Sequence, residues 1–153
     1  MRLISHRGNL SGPNPENENT LLHIQRAIDR GYDVEIDVRL LDGQLYLGHD
    51  SPDYPVELSW LLERKDHLWI HAKNFKAMDF LLPHDFRVFY HSVEKHVVIG
   101  NTKTAWSCDL MEATEKSVVP MIGLDDVEKY KGLAAGFYGV CSDYIGEFNE
   151  ESS

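Results

Sequence analysis

Seven short strand patterns recur along the chain, separated by segments with helix or loop signals, and this alternation limits the possible folds more than any other feature. The predicted strands lie at residues 2–6, 34–38, 68–72, 86–91, 104–108, 118–122 and 138–142. Strands that alternate with helices form mainly parallel sheets. The sequence therefore predicts an α/β protein whose sheet is open or closed into a barrel.

The first connection carries the clearest helix signal. Asn19 or Thr20 is the predicted N-cap, and Gly31 is a typical residue at a helix end. Apolar residues recur at helical spacing between them, at Leu21, Ile24 and Ile28. Further helices are predicted at residues 56–64, 75–82 and 125–135. The first helix and its flanking strands form a β-α-β unit.

The segment LLDGQLYLGHD carries a hairpin signal after the second strand. Asp42 and Gly43 stand between apolar flanks, and Asp-Gly favours a two-residue hairpin turn. Such a turn folds the chain back along the strand. We therefore expect His49 to lie near the end of the strand at 34–38.

The second strand belongs to the segment DVEIDV, in which Glu35 and Asp37 alternate with apolar residues. Side chains two apart on a strand share one face, so one face is apolar and the other acidic. The acidic face either meets water or points inward, where a bound cation would hold the two carboxylates.

Polar residues end three of the predicted parallel strands, in the segments SHRGN, EIDVR and IHAKN. In parallel α/β folds the carboxyl ends of the strands form the functional site. In the third segment, His71 and Lys73 share a face opposite Ile70 and Ala72, which repeats the polar-in pattern of DVEIDV. The three segments together favour the inward interpretation of Glu35 and Asp37.

Composition excludes some classes of function. The chain has 153 residues, with 15 Lys and Arg against 25 Asp and Glu and a formal net charge of −10. This length fits a single domain spanning residues 1–153. The acidic balance disfavours sequence-independent binding to nucleic acid or to anionic membranes.

The two cysteines and the first residues of the sequence favour a cytoplasmic location. Cys108 and Cys141 lie in apolar, strand-like segments, so we predict buried thiols rather than a disulfide or a metal site. The start, MRLISHRG, enters a strand pattern at once, and no apolar run approaches the length of a membrane span. We therefore expect a cytoplasmic protein. The last residues, GEFNEESS, are predicted to be a solvated end.

The order of short motifs resembles that of the glycerophosphodiester phosphodiesterases, a family within the phospholipase-C-like barrel superfamily. The matching motifs are HRG at 6–8, ENT at 18–20, EID at 35–37, DG at 42–43, HD at 49–50, a lysine at 73 and SDY at 142–144. The order is distinctive over residues 4–50, whereas each motif alone is common. The resemblance covers the first third to half of the chain and is thin afterwards.

The resemblance implies a metal-dependent phosphodiesterase. His6 and His49 match the two catalytic histidines of the family, and Glu35 and Asp37 match two of its metal ligands. This chemistry suits the residue types, because a divalent cation stabilises charge on the phosphodiester and imidazoles transfer protons near neutral pH. The resemblance also implies attack by a neighbouring substrate hydroxyl, through a cyclic phosphate.

Three further residues carry over from the resemblance. Arg7 and Lys73 match residues that hold the phosphate. Glu18 matches the acidic residue of the ENT motif, which we interpret as support for the turn at His6 and Arg7. Glu16 is the alternative for this role, since PENENT permits either alignment.

The third strand departs from the family pattern. The family has Glu-x-Lys there, with the Glu completing the metal site, whereas this chain has His71, Ala72 and Lys73. We predict His71 as the third ligand of one divalent ion, Mg²⁺, Ca²⁺ or Mn²⁺, with Zn²⁺ also admitted by the imidazole. As a ligand it must be neutral, so metal affinity is expected to weaken below about pH 6.5. The alternatives are that His71 only packs, and that His91 fills the third position.

The length is the second departure. A (β/α)8 barrel typically needs about 250 residues, and 153 residues leave about 19 for each of eight units. We therefore predict a trimmed TIM-like barrel with seven or eight short parallel strands and several helices reduced to loops. An open α/β sheet is the second choice.

The predicted function is metal-dependent hydrolysis of a small, glycerophosphodiester-like substrate, with His6 and His49 as the acid and base. The alternative is a non-catalytic barrel that binds phosphate or metal and has lost turnover. A phospholipase-type lyase is disfavoured by the acidic composition. The expected partners include neither nucleic acid nor a membrane span, and a second copy of the chain is a candidate partner that could complete a shallow site.

Overall fold

The computed structural model describes residues 1–148 of the chain. The strands are β1 (Arg2–His6), β2 (Asp33–Leu41), β3 (Gln44–Leu47), β4 (Tyr54–Val56), β5 (Leu68–Ala72), β6 (Val88–Phe89), β7 (His96–Val98), β8 (Ala105–Ser107), β9 (Ser117–Pro120) and β10 (Gly139–Ser142). The helices are α1 (Leu21–Asp29), α2 (Leu58–Glu63), α3 (Phe75–Leu81) and α4 (Leu124–Ala134). Short 3-10 turns lie at Lys65–His67, Leu82–His84 and Ile145–Phe148.

The strands form one curled sheet. Parallel pairs join β8, β9, β10, β1, β2, β5 and β6 in that order. β7 pairs with β8 in the antiparallel direction, and an isolated bridge links Val88 of β6 to Gly100, two residues after β7. The two ends of the curl are thus brought together, as in a trimmed TIM-like fold.

Seven strands are parallel, as predicted, and β3 forms the predicted hairpin, but β4 and β7 are antiparallel strands that were not expected. Only six residues, 90–95, connect β6 to β7. A parallel crossover needs about a dozen residues or more, so this connection can only reverse the chain. The connections that follow β6, β7 and β8 contain no α-helix within the described part of the chain, as the short sequence predicts.

Local sequence accounts for the first helix and the hairpin. Thr20 caps α1 by accepting a hydrogen bond from the backbone N–H of His23, and Gly31 follows the helix with a φ of 92°. Asp42 and Gly43 have φ values of 50° and 79°, as a type I′ turn requires, so β2 and β3 form the predicted hairpin.

Apolar side chains pack on both faces of the curl. The outer face of β2, with Val34, Ile36 and Val38, packs against α1, α2 and α3. Around β9 and β10 the outer layer is completed by α4 and the turn at Ile145–Phe148. Inside the curl a third cluster contains Ile4, Trp69, Phe89, Ile99, Trp106, Val118 and Cys141. Each fully buried large apolar side chain contributes about 1.5–3 kcal/mol, so the three layers fix the curvature.

The interior is closed at the amino ends of the strands. Asp33, at the start of β2, accepts hydrogen bonds from Arg2 Nη1 at 3.2 Å and from Trp69 Nε1 at 3.0 Å. Arg87 Nη1 lies 3.5 Å from the same carboxylate, and its guanidinium stacks 4.6 Å over the Trp69 ring. Access to the interior is therefore from the carboxyl ends.

Two predictions about individual residues need correction. Cys141 is buried, but Cys108 is exposed. β8 ends at Ser107, so Cys108 lies in the loop that follows this strand. Phe148 is buried, so the start of the predicted solvated end packs on the outer layer, and residues 149–153 lie outside the described residues. Within residues 1–148, no helix is long and apolar enough to span a bilayer.

Candidate active site

The carboxyl ends of three neighbouring parallel strands place four predicted site residues side by side. His6 ends β1 and lies beside Glu35 of β2 in the strand register. Asp37, two residues further along β2, lies beside His71 of β5. Glu35 and Asp37 have only 2% and 1% of their surface exposed, so the acidic face of DVEIDV points inward. The solvent-facing interpretation of this segment is wrong.

The buried carboxylates are incompletely satisfied. Glu35 Oε2 and Asp37 Oδ1 have no hydrogen-bond partner among residues 1–148. Burial is the main cause that raises the pKa of Glu35 well above its ordinary value, and the neighbouring charge of Asp37 adds to it. A buried carboxylate oxygen without a donor is costly. The pair therefore favours a bound cation.

The second oxygen of Asp37 is held in place. Asn19 Nδ2 donates to Asp37 Oδ2 at 3.0 Å, and the backbone N–H of Asp37 donates to Asn19 Oδ1 at 3.1 Å. Arg7 Nε lies 3.1 Å from the same carboxylate oxygen. Asn19, one of the two predicted N-caps, thus orients Asp37 instead, and Thr20 is the cap.

His71 completes a cluster with metal-ligand chemistry. One ligand atom from each of Glu35, Asp37 and His71 can be chosen so that all lie within 4.8 Å of one another. His71 Nδ1 lies 3.5 Å from Asp37 Oδ1. Burial lowers the pKa of His71 to about 3, with Lys73 and His91 adding to the effect and Asp37 opposing it. The imidazole is therefore neutral near pH 7 and able to donate a lone pair to a metal.

A cluster of near-parallel rings packs against His71. Its ring contacts Phe89 at a centroid distance of 4.9 Å and His91 at 4.7 Å, with interplanar angles of 14° and 10°, and Phe89 and His91 lie 6.0 Å from each other. Trp106 extends the cluster, 4.6 Å from Phe89. His91, predicted as the alternative third ligand, stacks on His71 and does not belong to the ligand cluster.

His6 is oriented by an aspartate from the last strand's end. Asp143 Oδ1 lies 2.7 Å from His6 Nδ1 and accepts a hydrogen bond from Asn9 Nδ2 at 2.8 Å. Burial raises the pKa of Asp143, but these two hydrogen bonds outweigh it, so the net pKa is lowered. An ionised carboxylate only accepts, so His6 donates from Nδ1. Its Nε2 atom, 3.6 Å from Glu35 Oε2, faces the carboxylate pair.

The turn after β1 positions Arg7. Arg7 has a φ of 59° and Gly8 a φ of 96°. A Cβ atom at Gly8 would lie 2.6 Å from His23 Cδ2, so only glycine fits. Glu18 accepts from Arg7 Nη1 at 3.2 Å and from the backbone N–H of Asn14 at 2.7 Å, whereas Glu16 is exposed. Glu18 rather than Glu16 therefore supports this turn.

His49 lies on the loop after β3. Its Nδ1 atom is 2.7 Å from Asp50 Oδ1, and this hydrogen bond is the main cause that lowers the pKa of Asp50. Arg39 Nη2 donates to the carbonyl of His49 at 2.7 Å and thereby holds the loop. Both candidate catalytic histidines thus pair Nδ1 with an aspartate and leave Nε2 available.

A cavity of about 260 Å³ lies next to Arg7 and Asn19, which both contact Asp37. Its lining consists of Arg7, Pro15, Glu18, Asn19, His49, Asp50 and Asp53. Lys73 is half-buried at the end of β5, has no carboxylate within 4.0 Å among residues 1–148, and interacts electrostatically with Glu35. His49 interacts at longer range with His71. Three predicted residues, Arg7, Glu18 and His49, thus line the cavity, whereas the others lie at the neighbouring strand ends and do not belong to its lining.

Three residues of this arrangement were not predicted as site residues. The sequence gives Asp143 no role beyond its place in the SDY motif, it predicts Asn19 only as a helix cap, and it predicts no role for Asn9. Asn9 directly follows the HRG motif and Asn19 lies within ENT, so position beside the motifs is the available signal. Asp143 lies 137 positions from His6, and nothing local in the sequence indicates their contact.

Comparison with known proteins supports the fold. No protein-family model matches the chain, and no curated protein matches it. The structure is similar to the crystal structure of a glycerophosphodiester phosphodiesterase from Thermotoga maritima, with a TM-score of 0.56 and 18% sequence identity, over 99% of this chain and 98% of that one. At this identity the similarity shows a shared fold.

Proposed function

We propose that the protein is a metal-dependent phosphodiesterase that hydrolyses a glycerophosphodiester-like substrate. The observation that carries the proposal is the buried Glu35 and Asp37 pair, with oxygens that lack donors, beside a histidine oriented by an aspartate. The shared fold with a glycerophosphodiester phosphodiesterase and the order of the sequence motifs support the same activity.

Glu35, Asp37 and His71 would hold one divalent cation. The donor set of two carboxylates and one neutral imidazole suits Mn²⁺ or Zn²⁺, and it admits Mg²⁺ or Ca²⁺ less readily than three oxygen ligands would. Such an ion neutralises the phosphodiester and stabilises the charge that develops on its oxygens.

Arg7 and Lys73 would bind the phosphate group. Arg7 lines the cavity and is held by Glu18 and Asp37, so its guanidinium is fixed before substrate binds. Lys73 contributes a charge that no carboxylate within ion-pair distance neutralises in the described part of the chain. Fixed cationic donors of this kind favour an anionic substrate and its transition state.

His6 and His49 would divide the proton transfers. One Nε2 atom accepts the proton of the attacking substrate hydroxyl as the new P–O bond forms, and the other donates a proton to the alkoxide as the old P–O bond breaks. Water then opens the resulting cyclic phosphate, with the two histidines in reversed roles. Asp143 keeps His6 in the tautomer that leaves Nε2 free, and Asp50 does the same for His49.

A turnover assay with metal-stripped protein tests the proposal. Glycerophosphodiesters and a chromogenic phosphodiester are each incubated with Mg²⁺, Ca²⁺, Mn²⁺ or Zn²⁺, and released alcohol is measured. We expect hydrolysis that depends on metal and that is lost in His6→Ala. Tight binding of metal and phosphate without turnover on any substrate would instead support the non-catalytic barrel.

A further inference from the structure

A second cavity lies on the other side of the turn at His6 and Arg7. It has a volume of about 150 Å³ and shares no lining residue with the candidate active-site cavity. One wall is the loop that follows β1, and the other is one face of α1. The lining residues are Gly8, Leu10, Ser11, Gly12, Asn14, His23, Arg26 and Arg30.

Two arginines and one histidine line this cavity together, His23 and Arg26 from α1 and Arg30 from the residue that caps it. His23, Arg26 and Arg30 are spaced by three and four residues, so they are neighbours on the surface of α1. Two like charges four residues apart destabilise a helix by roughly 0.2–0.5 kcal/mol. The helix dipole favours cations near this end, but it does not require them to face a cavity.

The two arginines differ from the other arginines of the chain. Five of the seven, at positions 2, 7, 39, 64 and 87, have hydrogen bonds or ion pairs within residues 1–148. Arg26 and Arg30 have no carboxylate within 4.0 Å and no side-chain hydrogen bond in the same part of the chain. Both side chains are exposed and line the cavity, so an anion from solution can reach them without breaking an existing ion pair.

We propose that this cavity is a second anion site that binds a phosphate-type oxyanion, either inorganic phosphate or a small phosphate monoester. Guanidinium groups match the oxygens of phosphate in geometry and charge. The cavity holds about five water volumes, which is enough for one tetrahedral oxyanion and a few waters. Ser11 and Asn14 supply neutral donors on the opposite wall.

A chain of hydrogen bonds connects this cavity to His6, the proposed catalytic histidine. His23 Nε2 is 2.9 Å from Asn9 Oδ1, and Asn9 Nδ2 donates to the Asp143 oxygen that orients His6. If the proposed function holds, glycerol phosphate is a product of the reaction. Its binding in this cavity would then act on His23, which three hydrogen bonds connect to His6. The binding itself does not depend on the proposed function.

Calorimetric titration of the full chain, without added metal and with a chelator present, tests the site. Inorganic phosphate and glycerol phosphate are titrated separately into the parent protein, Arg26→Gln/Arg30→Gln and Arg7→Gln/Lys73→Gln. The control is Lys76→Gln/Lys103→Gln, which removes the same charge from two exposed lysines elsewhere. All three pairs of changes affect side chains with some exposure, and circular dichroism and melting temperature verify the fold.

We expect phosphate affinity at one site to fall about tenfold or more in Arg26→Gln/Arg30→Gln, because charge-assisted hydrogen bonds are lost. The same site should persist in Arg7→Gln/Lys73→Gln and in the lysine control. Phosphate should also shift the NMR signals of the His23 ring. Binding of glycerol phosphate at this site would extend the ligand class to monoesters, and binding of inorganic phosphate alone would restrict it to the free ion.

Two results would overturn the proposal. One is unchanged phosphate binding in Arg26→Gln/Arg30→Gln. The other is loss of all phosphate binding in Arg7→Gln/Lys73→Gln, since the only site would then be the candidate active site. Neither result depends on whether the protein hydrolyses phosphodiesters, so failure of this proposal and failure of the proposed function remain distinguishable.

Discussion

The Nδ1 atom of His6 lies 2.7 Å from Oδ1 of Asp143, although the two residues are 137 positions apart. Asp143→Asn would keep the shape of the side chain but replace the carboxylate by a neutral amide, whose NH2 group can donate to Nδ1 and so disfavours the tautomer that leaves Nε2 free. We expect kcat to fall by about 10²- to 10⁴-fold with little change in KM. The control is Asp79→Asn, at an exposed aspartate of α3. Equal kcat in both variants would exclude a role for Asp143 in orienting His6.

Removal of either histidine should separate proton transfer from metal binding. His6→Ala and His49→Ala should each lower turnover by about 10²- to 10⁴-fold. Metal affinity, measured by calorimetry, should stay within about twofold of the parent, since neither imidazole belongs to the ligand cluster. The parent should show a bell-shaped pH dependence of kcat/KM. A collapse of metal affinity in either variant would reassign that histidine as a ligand.

Glu35→Gln should stabilise the metal-free protein. The pKa of Glu35 is raised by burial and by Asp37, so the folded state holds this proton more tightly than the unfolded state. The resulting stability is present below the unfolded pKa and is lost as the pH rises through the folded pKa. Near pH 8 with a chelator, the melting temperature of Glu35→Gln should therefore exceed that of the parent, whereas exposed Glu16→Gln should match it.

The same variant should lose the response to metal. A ligand at 100 times its Kd stabilises the native state by about 2.7 kcal/mol, which corresponds to about 5–10 °C for a chain of this size. We expect this shift in the parent and its absence in Glu35→Gln, as measured by differential scanning fluorimetry with Mn²⁺. A parent melting temperature that does not change at saturating divalent ion would contradict the proposed metal site.

The pH dependence of metal binding should not arise from His71. Its pKa is lowered to about 3 by burial, so the imidazole is already neutral at pH 6.5, and weakening through His71 is expected only at lower pH than the ordinary histidine pKa predicts. At pH values where His71 is neutral, the competing proton is the one on Glu35, whose pKa is raised by burial and by Asp37. As the pH decreases, metal affinity should therefore fall to the same degree in His71→Ala and in the parent. A flat profile in His71→Ala would assign the competition to the imidazole after all.

His71 should nevertheless determine which metal is preferred. Replacing it by Glu exchanges a nitrogen ligand for an anionic oxygen and should move the preference from Mn²⁺ or Zn²⁺ towards Mg²⁺ or Ca²⁺. His71→Ala should weaken Mn²⁺ and Zn²⁺ most. Competition titrations with a metal-sensitive dye give the order of affinities. If His71→Ala leaves that order unchanged, the histidine only packs.

Phe89 should support the metal site through its stack on His71. Phe89→Leu removes the ring that lies 4.9 Å from the imidazole, and an aromatic pair is worth about 0.5–1.5 kcal/mol. We expect metal affinity to fall by about 2- to 12-fold. Phe86→Leu is the matched control, because Phe86 is equally buried but belongs to the outer layer against the helices. Equal losses of affinity in the two variants would indicate a general effect of core packing.

Much of the architecture could be predicted because it depends on neighbouring residues. Alternating apolar residues gave the strands and the inward face of Glu35 and Asp37, and Asp42 with Gly43 gave the hairpin. β7 was missed, because its three residues, His96–Val98, are half-buried or exposed and carry no regular apolar alternation. The exposure of Cys108 was missed for a related reason, since the ends of short strands depend on pairing with other strands.

The sequence by itself determined the order of the elements and the face on which each polar side chain lies, because strand alternation and turn chemistry act over a few residues. Only the tertiary structure decided that Asp143 meets His6, that Phe89 and His91 pack against His71, and that Arg26 and Arg30 face a cavity without a counter-charge. These relations join segments far apart in the chain or depend on burial. They follow from the curl of the sheet, which packing on both of its faces sets and which no local pattern encodes.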